Sequence, residues 1–283
     1  MTDTTARIAQ LFVHPVKSCA GIEVTDALLV ETGPDLDRQW MVVDERGDML
    51  TQRSLPRMAL IRTTFRHEEV VLRAPGMLAL HLAVDRVEAP TRVRVWDDEV
   101  AAYDMGPLAA QWCTDFLGRP ARLARFDPEQ RRLSNKRWTG DLDAENGFAD
   151  AFPLLVTGSA SLAELNRRLA ATGHATVDMR RFRPNLVLDG LEPFDEDHLD
   201  ELHIDTADGE VVLRLVKPCV RCTVPSVDPD SGEQGHAVAD VLSTFRADAR
   251  MDGGITFGMN AVIVDGIDRT LRVGQAVRGT YRF

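Results

Sequence analysis

Short segments of alternating or continuous apolar residues dominate the first 126 residues of the chain. Stretches such as "IEVTDALLV", "QWMVVDERGDMLT" and "EVVLRAP" are separated by Gly, Pro and Asp, which favour turns. Within "DERGDM", Gly47 can adopt a positive φ, so these six residues are predicted to turn a β-hairpin. We therefore expect this half to be mainly β, as a curled sheet or a barrel.

One helix is predicted to interrupt these strands. The segment "PLAAQWCTDFLGRP" spaces Leu108, Trp112 and Phe116 four residues apart, which places them on one face of a helix. Gly118 and Pro120 follow as helix stop signals. We predict a helix that ends there and presents these three side chains as its apolar face.

A charge-rich stretch divides the chain. From residue 126 to 147, "FDPEQRRLSNKRWTGDLDAENG" has no apolar periodicity, which indicates an interdomain connection or a long surface loop. We accordingly predict an N-terminal domain over residues 6–126 and a second domain over residues 127–283.

The second part mixes helices and strands. In "SASLAELNRRLAATG", Leu162, Leu165 and Leu169 form a helical apolar stripe, and Ser161 with Glu164 fits a capping box at the start of that helix. Strands are predicted at "PNLVLDG", "GEVVLRLVKPC", "NAVIVDG" and "GTYRF", with a further helix near "AVADVLSTFR". The fold class predicted for the whole chain is α+β and rich in β-strands.

Charge and hydropathy exclude two classes of partner. The 283 residues include 33 basic and 44 acidic side chains, a formal net charge of −11. This acidic balance argues against a general nucleic-acid binder, because phosphate binding needs a basic surface. No window approaches the roughly 20 apolar residues of a membrane span, and the first residues lack the apolar run of a signal peptide. We expect a cytoplasmic protein without a membrane partner.

The four cysteines limit the chemistry further. Cys19, Cys113, Cys219 and Cys222 are too few for a disulfide scaffold, and a reducing compartment keeps them as thiols unless a metal binds one. The CxxC pair in "VKPCVRCTVPSVDPDSG" lacks the second pair or the spaced histidines of a structural zinc site. A redox pair normally opens a helix, whereas Pro225 and an acidic turn follow here.

Two interpretations of the pair remain on the residues alone. Lys217 and Arg221 flank the cysteines, and such cations favour a thiolate, which is a soft ligand for a transition metal. The alternative is two ordinary buried thiols near a turn, the default for an isolated CxxC. In either case Asp228 and Gly232 are predicted to form the turn that fixes this loop.

Six segments spread over nearly the whole chain follow one family pattern. In order they are "HPVKSCAGIEV", "DRQWMVVDERGDMLTQRSLPRMALI", "FADAFPLLVTGSASLAELN", "RFRPNLVLDG", "VKPCVRCTVPSVDPDSGE" and "FGMNAVIV". Together they resemble the MOSC-domain family, and within it the group of the amidoxime-reducing components. The resemblance implies an N-terminal β-barrel-like domain, followed by a MOSC β-barrel domain with peripheral helices.

The resemblance also implies a molybdenum cofactor, in which a pterin dithiolene and one protein cysteine hold the metal. The family pattern makes Cys222 the metal ligand and catalytic residue, with Cys219 as its neighbour. The implied enzyme reduces small N-hydroxylated compounds (amidoximes, hydroxylamines and N-hydroxy bases). Its electrons would come from a separate carrier, a ferredoxin-type protein or a flavin reductase system. A family association with pyridoxal phosphate comes with the same resemblance.

Two functions from other classes stay open beside the reductase. The first is a molybdenum-cofactor carrier or sulfur-transfer protein that uses a persulfide on Cys222. The second is a non-catalytic barrel that binds a small phosphorylated ligand, with both cysteines as buried thiols.

Further site residues follow from the family motifs by position. Lys17, Ser18 and Arg38 are expected at the pterin phosphate or at substrate-side groups, and the hydroxyls of "TGSAS" at a phosphate on the helix N-terminus. Val220 replaces a serine found in relatives, so only its backbone is expected to contribute. The complete cofactor-binding set implied by the resemblance is Lys17, Ser18, Arg38, Thr157, Ser159, Ser161, Arg183, Asn185, Val220, Arg221 and Asn260.

Overall fold

The computed structural model describes residues 3–282, and strands dominate its first half as predicted. One α-helix interrupts them, α1 at Gly106–Leu117. The strands are β1 Thr4–Val13, β2 Ile22–Val24, β3 Asp26–Val30, β4 Gly33–Pro34, β5 Trp40–Val43, β6 Arg62–Arg66, β7 Glu69–Arg73, β8 Leu80–Ala83, β9 Ala89–Val95, β10 Asp98–Asp104 and β11 Arg122–Phe126.

The second half adds eight strands and three α-helices. The strands are β12 Leu154–Gly158, β13 Leu186–Asp189, β14 Leu199–Thr206, β15 Gly209–Val220, β16 Ala247–Asp248, β17 Gly254–Asp265, β18 Thr270–Arg272 and β19 Ala276–Tyr281. The helices are α2 Lys136–Thr139, α3 Ser159–Ala171 and α4 Ala237–Ser243. Short 3₁₀ turns lie at Pro56–Leu60, Met179–Arg181, Asp195–Asp197, Val224–Ser226 and Ala249–Met251. Among residues 3–282, no helix is long and apolar enough to cross a membrane.

Seven strands close into a barrel. Their order is β12, β13, β1, β19, β14, β15 and β17, and β17 pairs back onto β12 with Leu155 opposite Asn260. Only the contact of β12 with β13 is parallel, with Val156 opposite Leu186. The barrel core is formed by fully buried side chains such as Ile8, Val156, Leu186 and Leu213. The predicted β-rich α+β class with a β-barrel is therefore confirmed.

The remaining strands of the first half form smaller sheets. Strands β5, β11, β10 and β9 make a four-stranded antiparallel sheet, and β6, β7 and β8 make a three-stranded one. Helix α1 ends at Gly118, whose φ of 69° confirms the predicted stop. Trp112 and Phe116 of this helix pack into the core, but Leu108 is 73% exposed, so its predicted place on the apolar face was wrong. The buried face follows Ala109 and Cys113 instead.

Strand β1 ties the first residues of the chain to the last. It pairs with β13 and β19 inside the barrel, and β3 pairs with β18. Strands β1 and β2 thus belong to the same sheet as strands of the second half. Backbone hydrogen bonds therefore join the two predicted domains, 6–126 and 127–283, whose boundary stays a prediction. Most of the charged stretch 126–147 is exposed or half-buried. Ser134 and Asn146 are buried within it, and Asn146 Nδ2 donates to the Ser134 hydroxyl at 2.9 Å.

The start of helix α3 differs from the predicted capping box. Gly158 is the N-cap residue, and Ser161 lies inside the first turn, where its hydroxyl donates to Glu196 Oε2 at 2.7 Å. Glu196 Oε1 accepts from the backbone N–H of Gly158 at 3.0 Å. Glu164 pairs with two arginines farther along the helix. A buried carboxylate from a distant loop therefore caps the helix, which the local sequence pattern could not show.

This carboxylate predicts a pH dependence of stability. Burial raises the pKa of Glu196 to about 7 from 4.5, although its hydrogen bonds with Ser161 and Gly158 act in the opposite direction. Because the unfolded chain releases this proton at lower pH than the folded chain, raising the pH favours unfolding. We expect this residue to remove roughly 3 kcal/mol of stability between pH 4.5 and pH 7 and above.

The measurement is urea unfolding at several pH values, compared between the wild type and Glu196→Gln. The variant is expected to lose this part of the pH dependence, while the dependence due to other groups remains. Parallel stability curves for the two proteins would show that Glu196 does not titrate in this window.

Candidate functional site

A cleft lies where loops of the first half meet the β12, β15 and β17 edge of the barrel. Eight of the residues predicted for the site line it: Lys17, Ser18, Arg38, Arg183, Asn185, Arg221, Cys222 and Asn260. The sequence analysis had not assigned a place in the site to several others that also line it, chiefly Thr51, Arg53, Trp96, Asp150, Phe152, Phe182 and Val224. Residues that are spread along the chain from position 17 to position 260 thus line one concave surface.

The cysteine loop begins at the end of β15. Cys219 is the penultimate residue of the strand, and Cys222 lies in the loop that follows. Both cysteines are partly exposed and line the cleft. The 3₁₀ turn Val224–Ser226 follows, and no α-helix starts at the pair. Within the described residues no three His, Cys, Asp or Glu side chains cluster as a metal site would require. Among residues 3–282 the two thiols are not bonded to each other, and they lack the further protein ligands of a structural zinc site.

Arg221 joins the cysteine loop to the segment that precedes β13. Its Nη1 donates to Cys219 Sγ at 3.0 Å and its Nη2 to the Phe182 carbonyl at 2.8 Å. Its Nε is buried and has no partner among residues 3–282. A buried guanidinium N–H without an acceptor is costly, so this donor is available to a ligand in the cleft.

The acidic turn after the cysteines has the predicted role. Asp228 Oδ1 accepts from the backbone N–H groups of Asp230 and Ser231, both at 2.9 Å, and Gly232 has a φ of 71°. Arg181 Nη2 donates to the other Asp228 oxygen at 2.7 Å. The turn is therefore fixed both within itself and to the segment that precedes β13.

Asn185 positions the cationic side of the cleft. Its Oδ1 accepts from Arg38 Nη1 at 3.0 Å and from the Leu155 N–H at 3.1 Å, and its Nδ2 donates to the Phe12 carbonyl at 3.2 Å. Arg38 also pairs with Asp37 and donates from Nη2 to the Arg183 carbonyl at 3.1 Å. Arg38 and Arg183 are thus held side by side, and Asp37 forms an ion pair with Arg38.

Positively charged side chains outnumber carboxylates in the lining of the cleft. Burial, and next the nearby Arg38, lowers the pKa of Arg183 to about 10. Burial also lowers the pKa of Lys17, although the carboxylate of Asp150 opposes this. Arg53 and Arg221 add two more cations to the lining. Because like charges held together out of water are unfavourable, this arrangement favours an anionic ligand.

Unusual backbone conformations concentrate at the same place. Ser18, Arg38, Trp96 and Arg183 all have a positive φ, of 64°, 50°, 55° and 57°. Residues other than glycine adopt a positive φ at a cost of about 1 kcal/mol or more each. The surrounding contacts hold these four residues in place, and all four line the cleft.

Four predicted residues do not reach the cleft. Thr157 donates to Met179 Sδ at 3.4 Å, Ser159 donates to Asp189 at 2.8 Å, and Ser161 binds the buried Glu196. A carboxylate lies at the N-terminus of α3, where it would repel a phosphate, and these three hydroxyls do not line the cleft. The fourth, Val220, is 44% exposed, and its side chain does not line the cleft.

Two residues that the sequence analysis missed had usable signals. Trp96 is an aromatic residue at the polar tip between β9 and β10, where a purely structural turn has no need of one. Asp150 lies within "FADAF", a segment that was recognised only as part of a longer motif. Each signal marks its residue as a candidate, and the three-dimensional positions show that both residues line the cleft.

Comparisons with known proteins agree with this architecture. The family model described as the MOSC N-terminal beta barrel domain matches residues 5–120, and the MOSC domain model matches residues 143–278. The mitochondrial amidoxime-reducing component 1 of Homo sapiens is 37% identical over 235 residues, covering 80% of this chain and 67% of that protein. The human component 2 is 34% identical over 249 residues, covering 84% and 72%. The human molybdenum cofactor sulfurase is 29% identical over 269 residues, which cover 89% of this chain but only 29% of that protein.

The excess of positive charge predicts anion binding that depends on Arg183. Inorganic phosphate at ten times its dissociation constant should stabilise cofactor-free protein by about 1.4 kcal/mol, a rise in Tm of roughly 2–4 °C. Arg183→Gln should lose this rise. Arg7→Gln, which removes an exposed arginine paired with Asp189, is the matched control and should keep it.

Thermal unfolding with and without phosphate measures the effect. An equal rise in Tm for all three proteins would mean that phosphate binds elsewhere.

Proposed function

Because the chain belongs to the MOSC-domain family, we propose that it is a molybdenum-cofactor-dependent reductase of N-hydroxylated compounds. The observation that carries the proposal is the convergence of the Cys222 thiol with five cations on one cleft. A soft sulfur donor beside a positive surface suits a metal bound to an anionic organic group.

The residues present fit this cofactor on three counts. Cys222 is partly exposed and lies on a loop whose turn is fixed by Asp228. Arg221 Nε is a buried donor in need of an acceptor. The carboxylates near Arg38 and Arg183 do not balance the positive charge of this side of the cleft. An anionic cofactor would balance it.

We assign the chain's residues as follows. Cys222 would hold the metal, while Lys17, Ser18, Arg38 and Arg183 would bind the phosphate of the pterin. Asn185 keeps Arg38 in place. When bound, the cofactor supplies the two electrons that reduce the N–O bond.

Other groups would bind the organic part of the cofactor. Asn260 donates from Nδ2 to the Lys217 carbonyl at 3.2 Å, so its Oδ1 can accept from a pterin N–H. Arg221 Nε, which has no acceptor among residues 3–282, would donate to the cofactor. Val220 belongs to the same segment but does not line the cleft, so only its backbone is assigned to the cofactor.

A separate protein would deliver the electrons. Among residues 3–282 the four cysteines are free thiols, and no cluster of three or more His, Cys, Asp or Glu forms a second metal site. We propose a ferredoxin-type protein or a flavin reductase system as the donor. Reduction of benzamidoxime with an artificial one-electron donor tests the enzyme without this partner.

A sulfur-transfer function is the second candidate. The partly exposed Cys222 beside Arg221 and the similarity to a protein named as a cofactor sulfurase favour it. A persulfide on Cys222 would be the functional group in this case. Mass spectrometry of the isolated protein for a labile sulfur on Cys222, together with metal analysis, separates this function from the reductase.

The two cysteines are predicted to differ in their effect. Cys222→Ser should lose bound molybdenum and reduce kcat/KM for benzamidoxime by on the order of 100-fold or more, because groups that merely support a ligand contribute about 10- to 100-fold. Cys219→Ser is the matched control in the same loop. It keeps the proposed ligand and should retain the metal.

Metal and pterin content, measured on protein from a host that makes the cofactor, decides the outcome. Wild-type protein without molybdenum, or Cys222→Ser with full metal and activity, would refute the reductase proposal.

A further inference from the structure

Three segments that the cysteine loop does not include form another part of the cleft. Arg53 precedes the 3₁₀ turn at Pro56–Leu60, Trp96 lies at the tip between β9 and β10, and Asp150 precedes β12. All three line the same cleft as Cys222. We name them the Asp150 wall.

The contacts within this wall fix the Asp150 carboxylate. Lys17 Nζ donates to Asp150 Oδ1 at 2.5 Å, and Trp96 Nε1 donates to the same oxygen at 3.0 Å. The guanidinium carbon of Arg53 lies 4.2 Å from the centre of the Trp96 ring, within the range of a cation–π interaction. The tip carries Trp96 in a left-handed conformation, so this placement is maintained at a conformational cost.

One oxygen of this carboxylate is left without a donor. Both donors bind Oδ1, and no group in the part of the chain that the structure describes donates a hydrogen bond to Oδ2. The side chain of Asp150 is 60% exposed at the cleft. The protein atoms around the carboxylate partly desolvate it, which by itself would raise the pKa of Asp150, but Lys17, the Trp96 N–H and Arg53 outweigh this effect and keep the pKa below its usual range. The group is therefore a carboxylate near neutral pH.

Asp150 is also the one carboxylate among the described residues that line the cleft. An anionic ligand would be attracted to the arginines and would avoid Oδ2, because like charges repel. A group that donates N–H bonds, and above all a cationic one, has the opposite preference.

We propose that Asp150 is a specificity-determining residue that binds an N–H donor of an amidine-type group through Oδ2. The substrates it favours are N-hydroxylated amidines and guanidines, whose products are cations with the same N–H donors. This inference rests on the proposed reductase function and narrows its substrate class. Trp96 of the wall and the neighbouring Lys17 have supporting roles, because both orient the carboxylate by donating to Oδ1.

Isothermal titration calorimetry with benzamidine tests the binding directly, on the full chain both with and without cofactor. Asp150→Asn should weaken benzamidine binding by on the order of 10- to 100-fold, as expected for the loss of a hydrogen bond between ions. Benzamide, a neutral molecule of similar shape, should bind wild-type protein more weakly than benzamidine, and Asp150→Asn should abolish that preference. Asp97→Asn is the matched control, because Asp97 is exposed at the β9–β10 hairpin beside Trp96 and does not line the cleft.

A second variant keeps the test decisive if Asp150→Asn does not fold. Arg53→Gln removes a positive charge from the wall and should tighten benzamidine binding, the opposite sign to Asp150→Asn. Unchanged benzamidine affinity in both Asp150→Asn and Arg53→Gln, or in whichever of them folds, would overturn the proposal. So would equal affinity of the wild type for benzamidine and benzamide.

Kinetics separate this inference from the function beneath it. With reductase activity present, Asp150→Asn should raise KM for benzamidoxime and leave kcat unchanged. The reason is that Asp150 would bind the substrate equally well in the ground state and in the transition state. Activity with an unchanged benzamidine affinity in Asp150→Asn would refute the role of Asp150 alone. Absence of molybdenum would refute the reductase, while calorimetry would still decide whether Asp150 binds amidines.

Discussion

The buried amide of Asn185 makes the contacts on which the cleft depends. It joins Phe12 of β1, Leu155 of β12 and the side chain of Arg38, three segments that are far apart in the sequence. The first two bonds hold neighbouring strands of the barrel in register around β13. The third carries this order to a loop of the first half. A hydrogen-bonding side chain buried in this way specifies one arrangement, because each alternative leaves a buried polar group unpaired.

Barrel closure and the charge of the cleft follow from the same arrangement. Closure through β12 and β17 brings Asn260 to the edge where β15 delivers Cys219 and Cys222. Arg38 and Arg183 approach each other because the backbone of one accepts from the side chain of the other. The positive potential is therefore built into the fold and does not need a ligand to assemble it. Such preorganisation is what a cofactor site requires, since it removes the cost of gathering like charges on binding.

Local patterns were informative where a local force decides the structure. The turns at Gly47 and Gly118, the barrel strands and the Asp228 turn all depend on backbone conformations that neighbouring residues set. The prediction failed at Leu108 because helical spacing shows which residues share a face, and not which face is covered. It failed at the start of α3 because the cap comes from Glu196, some 35 residues away.

The strand-rich class, the cysteine loop and the family pattern can be recognised in the sequence alone, because turn residues, apolar periodicity and short motifs are properties of neighbouring positions. Eight of the twelve predicted site residues line the cleft, and all eight belong to such motifs. The three-dimensional fold was needed to show that β1 belongs to the barrel of the second half, and that Trp96 and Asp150 share a hydrogen bond across 54 positions. Pairings between distant segments depend on how the whole core packs, and no local pattern records them.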